Sequence, residues 1–266
     1  MEKFTKAARF AYCLGLTGMV FPQFFYKEFG ANFLPAWPHL PLVPLWAYLF
    51  TTITIAACIA IVFEKRTGIV PLFLGGLLLV MYCLGDVPYE LFIDPYNKHL
   101  GSWADGLKEL ALAGGAFVVA GTFQRNANIT TSSSIKLLEK LIPFGPVFFS
   151  ITMTLYGVAH FLYTQPISTL VPNWISGHMF WTYFAGVALI CSGVAIVLRI
   201  KLPIIATLLG IMILIWLIII HIPSVIRDPF GNKSNSIVSA FSALAFSGIA
   251  FMIAARSAKK DHDFQD

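Results

Sequence analysis

Apolar residues run in eight long blocks along this chain, at roughly 7–26, 42–63, 68–84, 107–123, 141–163, 178–198, 202–221 and 236–255, with short polar connections between them. A helix needs about 20 mainly apolar residues to cross a hydrocarbon core, and the shortest blocks, at about 17, remain within range. A lone strand facing lipid would leave its backbone donors and acceptors unpaired, so each block is expected to be helical. The pattern predicts an all-α polytopic membrane protein with eight transmembrane helices.

Composition sharpens this picture. Of 266 residues, 58% are hydrophobic and only 12% charged, against about 25% charged in ordinary soluble domains. Eight spans consume most of the chain and leave no room for a soluble domain. The lipid bilayer is therefore the expected partner. A net charge of +5 would suggest nucleic acid in a soluble protein, but here the placement of the cations explains it, and no nucleic-acid partner is expected. With the N-terminus cytoplasmic, thirteen of the eighteen Lys and Arg residues fall on that side, including Arg9, Lys65, Arg66, Arg125, Arg199 and Lys201. Lys27, Lys98, Lys108, Arg227 and Lys233 fall on the other. The positive-inside rule then puts both termini in the cytoplasm, requires an even number of spans, and points to a multi-pass protein of the cytoplasmic membrane. The first apolar run continues to Tyr26 without a small-residue cleavage site, so it reads as a retained span.

The connection Gln124 to Lys136, QRNANITTSSSIK, has linker composition and divides two copies of one pattern. At a constant offset, Trp46-x-Tyr48 matches Trp181-x-Tyr183, Arg66 matches Lys201, Gly75 matches Gly210, Pro88 matches Pro223 and Asn97 matches Asn232. Asp94-Pro95 matches Asp228-Pro229 one position out of register, Gln23 falls opposite His160, and Pro35-Ala36-Trp37 opposite Pro172-Asn173-Trp174. Residues 1–123 and 137–266 are thus expected to be related four-helix membrane repeats joined by a polar cytoplasmic linker at 124–136. Four spans per repeat give both the same orientation, related by an axis along the membrane normal.

Polar chemistry gathers towards the outer face. The Asp94-Pro95 and Asp228-Pro229 elements read as turns, in which Asp bonds nearby backbone and Pro presets φ. Asp86 and His221 close spans 3 and 7, Lys108 and Glu109 open span 4, and His160 lies near the outer end of span 5. Ionisable groups at membrane depth face a bundle interior, a cavity or one another, so Asp86, Glu109, His160 and His221 are candidate ligand-binding residues in an outward-facing cavity. Trp174 and Trp181 join them as candidate walls of a slot for a flat or isoprenoid ligand; an interfacial belt also accounts for the aromatic crowding. No two His share the i,i+4 spacing of a helical metal site, so no metal is expected. No catalytic motif is present either, and a stand-alone enzyme is not the favoured reading. Cys13, Cys58, Cys83 and Cys191 lie in apolar runs and read as small hydrophobes. Gly114, Gly115, Gly186, Gly193 and Gly248 mark small faces suited to close helix approach.

Gly157 with His160-Phe161, then Val171-Pro172-x-Trp174, then Trp181-x-Tyr183 and Gly186 resemble the DoxX-like family of four-span membrane proteins. The likeness covers spans 5 and 6, and the hydropathy of 7 and 8 completes a four-span unit; the first half carries an eroded version. The resemblance implies a non-catalytic or quinone-associated component of a membrane redox system, with a quinone as cofactor and a membrane redox partner, and marks His160, Pro172 and Trp174 as family-typical positions. A small-molecule transporter or binder, and a membrane assembly factor, are the alternative readings.

Overall fold

The computed structural model describes residues 2–30, 32–63, 68–123 and 132–263. Lys65, Arg66, Arg125 and most of the 124–136 linker lie outside the described residues, and so do the side chains of Lys259 and Lys260.

The chain is all-α, with no strand among the described residues. Among the described residues eight long helices succeed one another: α1 (Glu2–Val20), α2 (Val43–Phe63), α3 (Ile69–Phe92), α4 (Ala104–Ala120), α5 (Gly145–Leu162), α6 (His178–Val197), α7 (Leu202–Arg227) and α8 (Gly231–Asp263). Six of them, α2, α3 and α5 to α8, are long and apolar enough to cross a membrane. At 1.5 Å per residue, the 24 residues of α3 extend about 36 Å. Phe63, Phe73, Leu84, Leu162, Phe184 and Leu208 stand exposed on their outer faces, a surface that only lipid would cover favourably. The protein is therefore a multi-pass integral membrane protein.

The remaining two helices are set apart by charge and length. The 19 residues of α1 carry Glu2, Lys3, Lys6 and Arg9 in their first half, and the 17 residues of α4 carry Asp105, Lys108 and Glu109. α4 begins at Ala104, three residues before the apolar run does, so Lys108 and Glu109 sit in its second turn and not its first. Every residue of α4 from Glu109 to Ala120 is buried, which makes it a central element.

α1 packs most extensively on α8, α5 on α6, α7 on α8, and α4 on both α3 and α5, while α4 and α8 also touch. Backbones approach closely at these seams because glycines remove the Cβ. A Cβ on Gly114 would lie 2.6 Å from the Gly145 carbonyl oxygen, and one on Gly248 would lie 2.7 Å from that of Ala8. Both distances are shorter than any contact a real Cβ makes, so no other residue fits. Gly15 meets Ala245 while Gly248 meets Ala8 and Tyr12, so α1 and α8 run antiparallel and bring the start of α1 and the end of α8 to one end of the bundle. Arg9 donates to Thr122 Oγ1 (2.9 Å) and covers the Phe123 ring at that same end, and the Arg256 guanidinium packs on Gly121. Cations there suit the negative C-terminal end of α4.

α3 and α7 share an irregularity. Each contains a five-residue π turn, Tyr82–Asp86 and Leu217–His221, followed by a proline, Pro88 or Pro223. Proline removes the N–H that the carbonyl four residues back requires, and the ladder widens to absorb the loss.

Candidate functional site

Two of the cavities among the described helices carry polar side chains. The first, of about 510 Å³, is bounded by Gln23, Asn32, Trp37, Asp105 and Lys233. The second, of about 350 Å³, lies between α5, α6, α7 and α8 and is lined by His160, Trp181, Trp216 and His221 together with Lys108 of α4. It reaches Met153, Leu189 and Ile213, well inside their helices, and its wall there is apolar. A mostly apolar cavity of this size with a few polar groups at one end has the form of a small-molecule site.

Hydrogen bonding decides what those polar groups can offer. His160 Nδ1 lies 2.7 Å from the Tyr156 carbonyl. A carbonyl only accepts, so Nδ1 donates, and in the neutral ring Nε2 is an acceptor. Thr182 Oγ1 donates to the His178 carbonyl (2.9 Å) and Ser242 Oγ to that of Ser239 (2.9 Å). Their protons are committed, leaving only lone pairs for a ligand. Trp216 Nε1 is a buried donor without a partner. Its ring meets Trp181 edge to face, with centroids 6.4 Å apart at 76°, which braces one wall. The Lys108 ammonium is held by Asn32 Oδ1 (2.6 Å) and Asp105 Oδ1 (2.7 Å), so its tip reaches residues of the first cavity while its stem borders the second.

The six sequence candidates divide three ways. His160, His221 and Trp181 meet in the second cavity. Asp86 and Glu109 face each other between α3 and α4, with carboxyls in hydrogen-bonding reach, rather than joining the histidines. Trp174 stands outside both cavities, 76% exposed. Its counterpart Trp37 is the one engaged: Nε1 donates to the Gly85 carbonyl within the π turn (3.1 Å), and the ring packs on Tyr89.

Sequence reasoning missed Lys108 and Trp216 as cavity residues, and Glu90 as a buried carboxyl. Glu90 lies one helical turn from Asp86, a spacing that would have flagged it once α3 was extended past residue 84. Asp94 and Asp228 accept from the backbone N–H of Tyr96 (2.8 Å) and Gly231 (2.9 Å), the local bonds of a turn. The Tyr96 N–H holds the Asp94 carboxyl below its ordinary range. Among the described residues, no group of three or more His, Cys, Asp and Glu could hold a metal ion. Comparison of the chain with known protein families, with characterised proteins and with solved structures finds no match.

Proposed function

We propose that this protein is a DoxX-like eight-span component of a membrane redox system that binds a quinone or quinol in the cavity between α5, α6, α7 and α8, without being a stand-alone enzyme. The observation that carries the reading is that one apolar cavity is lined both by His160, whose Nδ1 is bonded to the Tyr156 carbonyl, and by Trp216, whose buried Nε1 has no partner. A quinone ring presents carbonyl acceptors and a quinol presents hydroxyl donors, and both are flat and apolar between those groups. Trp181 and Trp216 supply aromatic walls, and the apolar depth of the cavity suits an isoprenoid tail.

The duplicated arrangement finds support in local geometry. The two π turns, the starts of α2 and α6 and the ends of α3 and α7 are each 135 residues apart. Gln23 lines the first cavity and His160 the second, and each cavity also draws residues from the other half. Helix packing supports it too, since α1 on α8 has a counterpart in α5 on α4, and α3 on α4 in α7 on α8. On this reading α1 and α4 also cross the bilayer, both termini are cytoplasmic and the host is the cytoplasmic membrane.

A transporter with its site on the axis between the halves is less favoured. The seams Gly114 on Gly145 and Gly248 on Ala8 are closed by backbone contact, so the first cavity, though lined by both halves, does not continue through them. Extraction of the purified protein and analysis of bound lipid-soluble compounds tests the proposal, together with titration of a short-chain quinone and quinol into nanodisc-embedded protein by tryptophan fluorescence. Saturable quenching that weakens in His160→Ala is the expected result. Protein that carries no quinone and binds neither form saturably would rule it out.

A further inference from the structure

We propose that Asp86 and Glu109 form a buried proton-binding site, loaded from the surface at Asp94 by way of Glu90. The site is separate from the quinone cavity, and the proposal stands or falls without it.

Glu109 is 0% and Asp86 3% exposed, and their carboxyls face each other across the α3–α4 seam. Gly106 makes the approach possible: a Cβ there would lie 2.9 Å from Asp86 Cβ. Neither oxygen of Glu109, nor Oδ2 of Asp86, meets a hydrogen-bond donor. An ionised carboxylate only accepts, so two ionised carboxyls in this contact would repel in surroundings that solvate neither. One proton held between them turns the repulsion into a hydrogen bond. Lys108, next to Glu109 in sequence, does not take its place, because its ammonium is held by Asn32 and Asp105. Other titratable groups around the pair are Tyr82 and Cys83 on α3, Asp105 on α4, and Tyr156 on α5, whose hydroxyl donates to the Ala104 carbonyl (2.7 Å). None of these supplies a positive charge.

A path to the surface follows from helical spacing and from the turn beyond α3. Asp86 and Glu90, four residues apart, share one side of α3, and Asp94 follows two residues past its end. Glu90 is 8% exposed with Oε2 unpartnered, and its other side reaches the Asp94 carboxyl in the polar turn. Chains of carboxyls at membrane depth are a recurrent form of proton relay.

The test is infrared difference spectroscopy on full-length protein in nanodiscs, in H₂O and D₂O. At neutral pH the unaltered protein should give a protonated-carboxyl C=O band that shifts when Asp and Glu carry ¹³C carboxyls, a readout that needs no variant to fold. The band should vanish in Asp86→Asn/Glu109→Gln. In Glu90→Gln it should persist, with hydrogen–deuterium exchange slowed several-fold. No such band in the unaltered protein overturns the proposal, as does its survival in the double variant. Its loss on adding sodium or potassium ions also overturns it and assigns the site to a cation. Unchanged exchange in Glu90→Gln overturns the route.

Discussion

Asp86 and His221 are the last residues of two π turns that occupy the same place in α3 and α7, each two residues ahead of a proline. The widened turn sets where each side chain points. Asp86 is delivered to Glu109 and His221 to the cavity shared with His160. One backbone device thus serves two chemistries, a carboxyl pair in one half and a histidine pair in the other.

The proline is the cause of the turn, so Pro223→Ala should change the site more than the stability. Its restored N–H can bond the Ile219 carbonyl, let α7 close to a regular ladder and rotate His221 away from the cavity. Quinone affinity measured by fluorescence titration should fall, while the melting temperature in detergent holds or rises. Unaltered affinity would disconnect the turn from the site.

Close helix approach predicts an inverted size rule at the central seams. Gly114→Ala should destabilise the bundle by about 1–3 kcal/mol, because its Cβ meets the Gly145 carbonyl oxygen, which cannot move aside as a side chain can. Gly115→Leu should be at least as damaging, since even a Cβ lies 2.5 Å from Ile249 Cδ1 and 2.7 Å from the Tyr12 ring. Detergent melting curves that match the unaltered protein would refute both contacts.

Tyr12 offers a single hydrogen bond to weigh. It is fully buried, and its hydroxyl donates to the Leu112 carbonyl of α4 (2.8 Å). That carbonyl also has its own helix, so Tyr12→Phe should cost only about 0.6 kcal/mol, the usual size of such bonds within membranes. A loss of several kcal/mol in a denaturation series would mean that the hydroxyl does more than bridge α1 to α4.

Accessibility reporters distinguish eight crossings from six. Reporters at the N-terminus, at the C-terminus and in the connection after Ala120 should all read the cytoplasmic side, and one at Asn97 the opposite side. A cytoplasmic signal at Asn97, or an external one after Ala120, would mean that α1 or α4 does not cross.

The Asp94 turn should loosen in acid. Its carboxyl titrates below its ordinary value of 3.8 because the Tyr96 N–H bonds the ionised form. A lowered folded-state value stabilises the turn fully above the ordinary range and loses that contribution as pH falls through the lowered value. Limited proteolysis of residues 94–99 should therefore be slow near neutrality and faster in strong acid. Asp94→Asn should remove the dependence.

The apolar runs located the helices closely, and the reason is local: each run must bury or face lipid along its whole length. Boundaries failed where polar residues continue a helix. The run at 68–84 stops at the first acidic residues, yet α3 continues to Phe92 because Asp86 is buried against Gly106 of α4 and Glu90 is buried as well. Trp174 shows the opposite failure. A motif match gave it the same standing as Trp181, but exposure depends on how the connection after α5 folds back, which no local pattern encodes.

By itself, the sequence determined that the chain is a multi-pass, all-helical membrane protein, because hydrophobic length and charge placement act residue by residue against the bilayer. It also singled out the ionisable residues at membrane depth, since their desolvation cost does not depend on the fold. Only the tertiary structure decided who meets whom: Asp86 with Glu109, His160 and His221 on the wall of one cavity, and Lys108 between the two cavities. Those pairings rest on glycine seams and on two π turns. The seams are set by contacts between helices far apart in the chain and the turns by a local proline whose effect shows only in the folded helix, and together they sharpen the opening pattern of eight apolar runs into two separate polar sites.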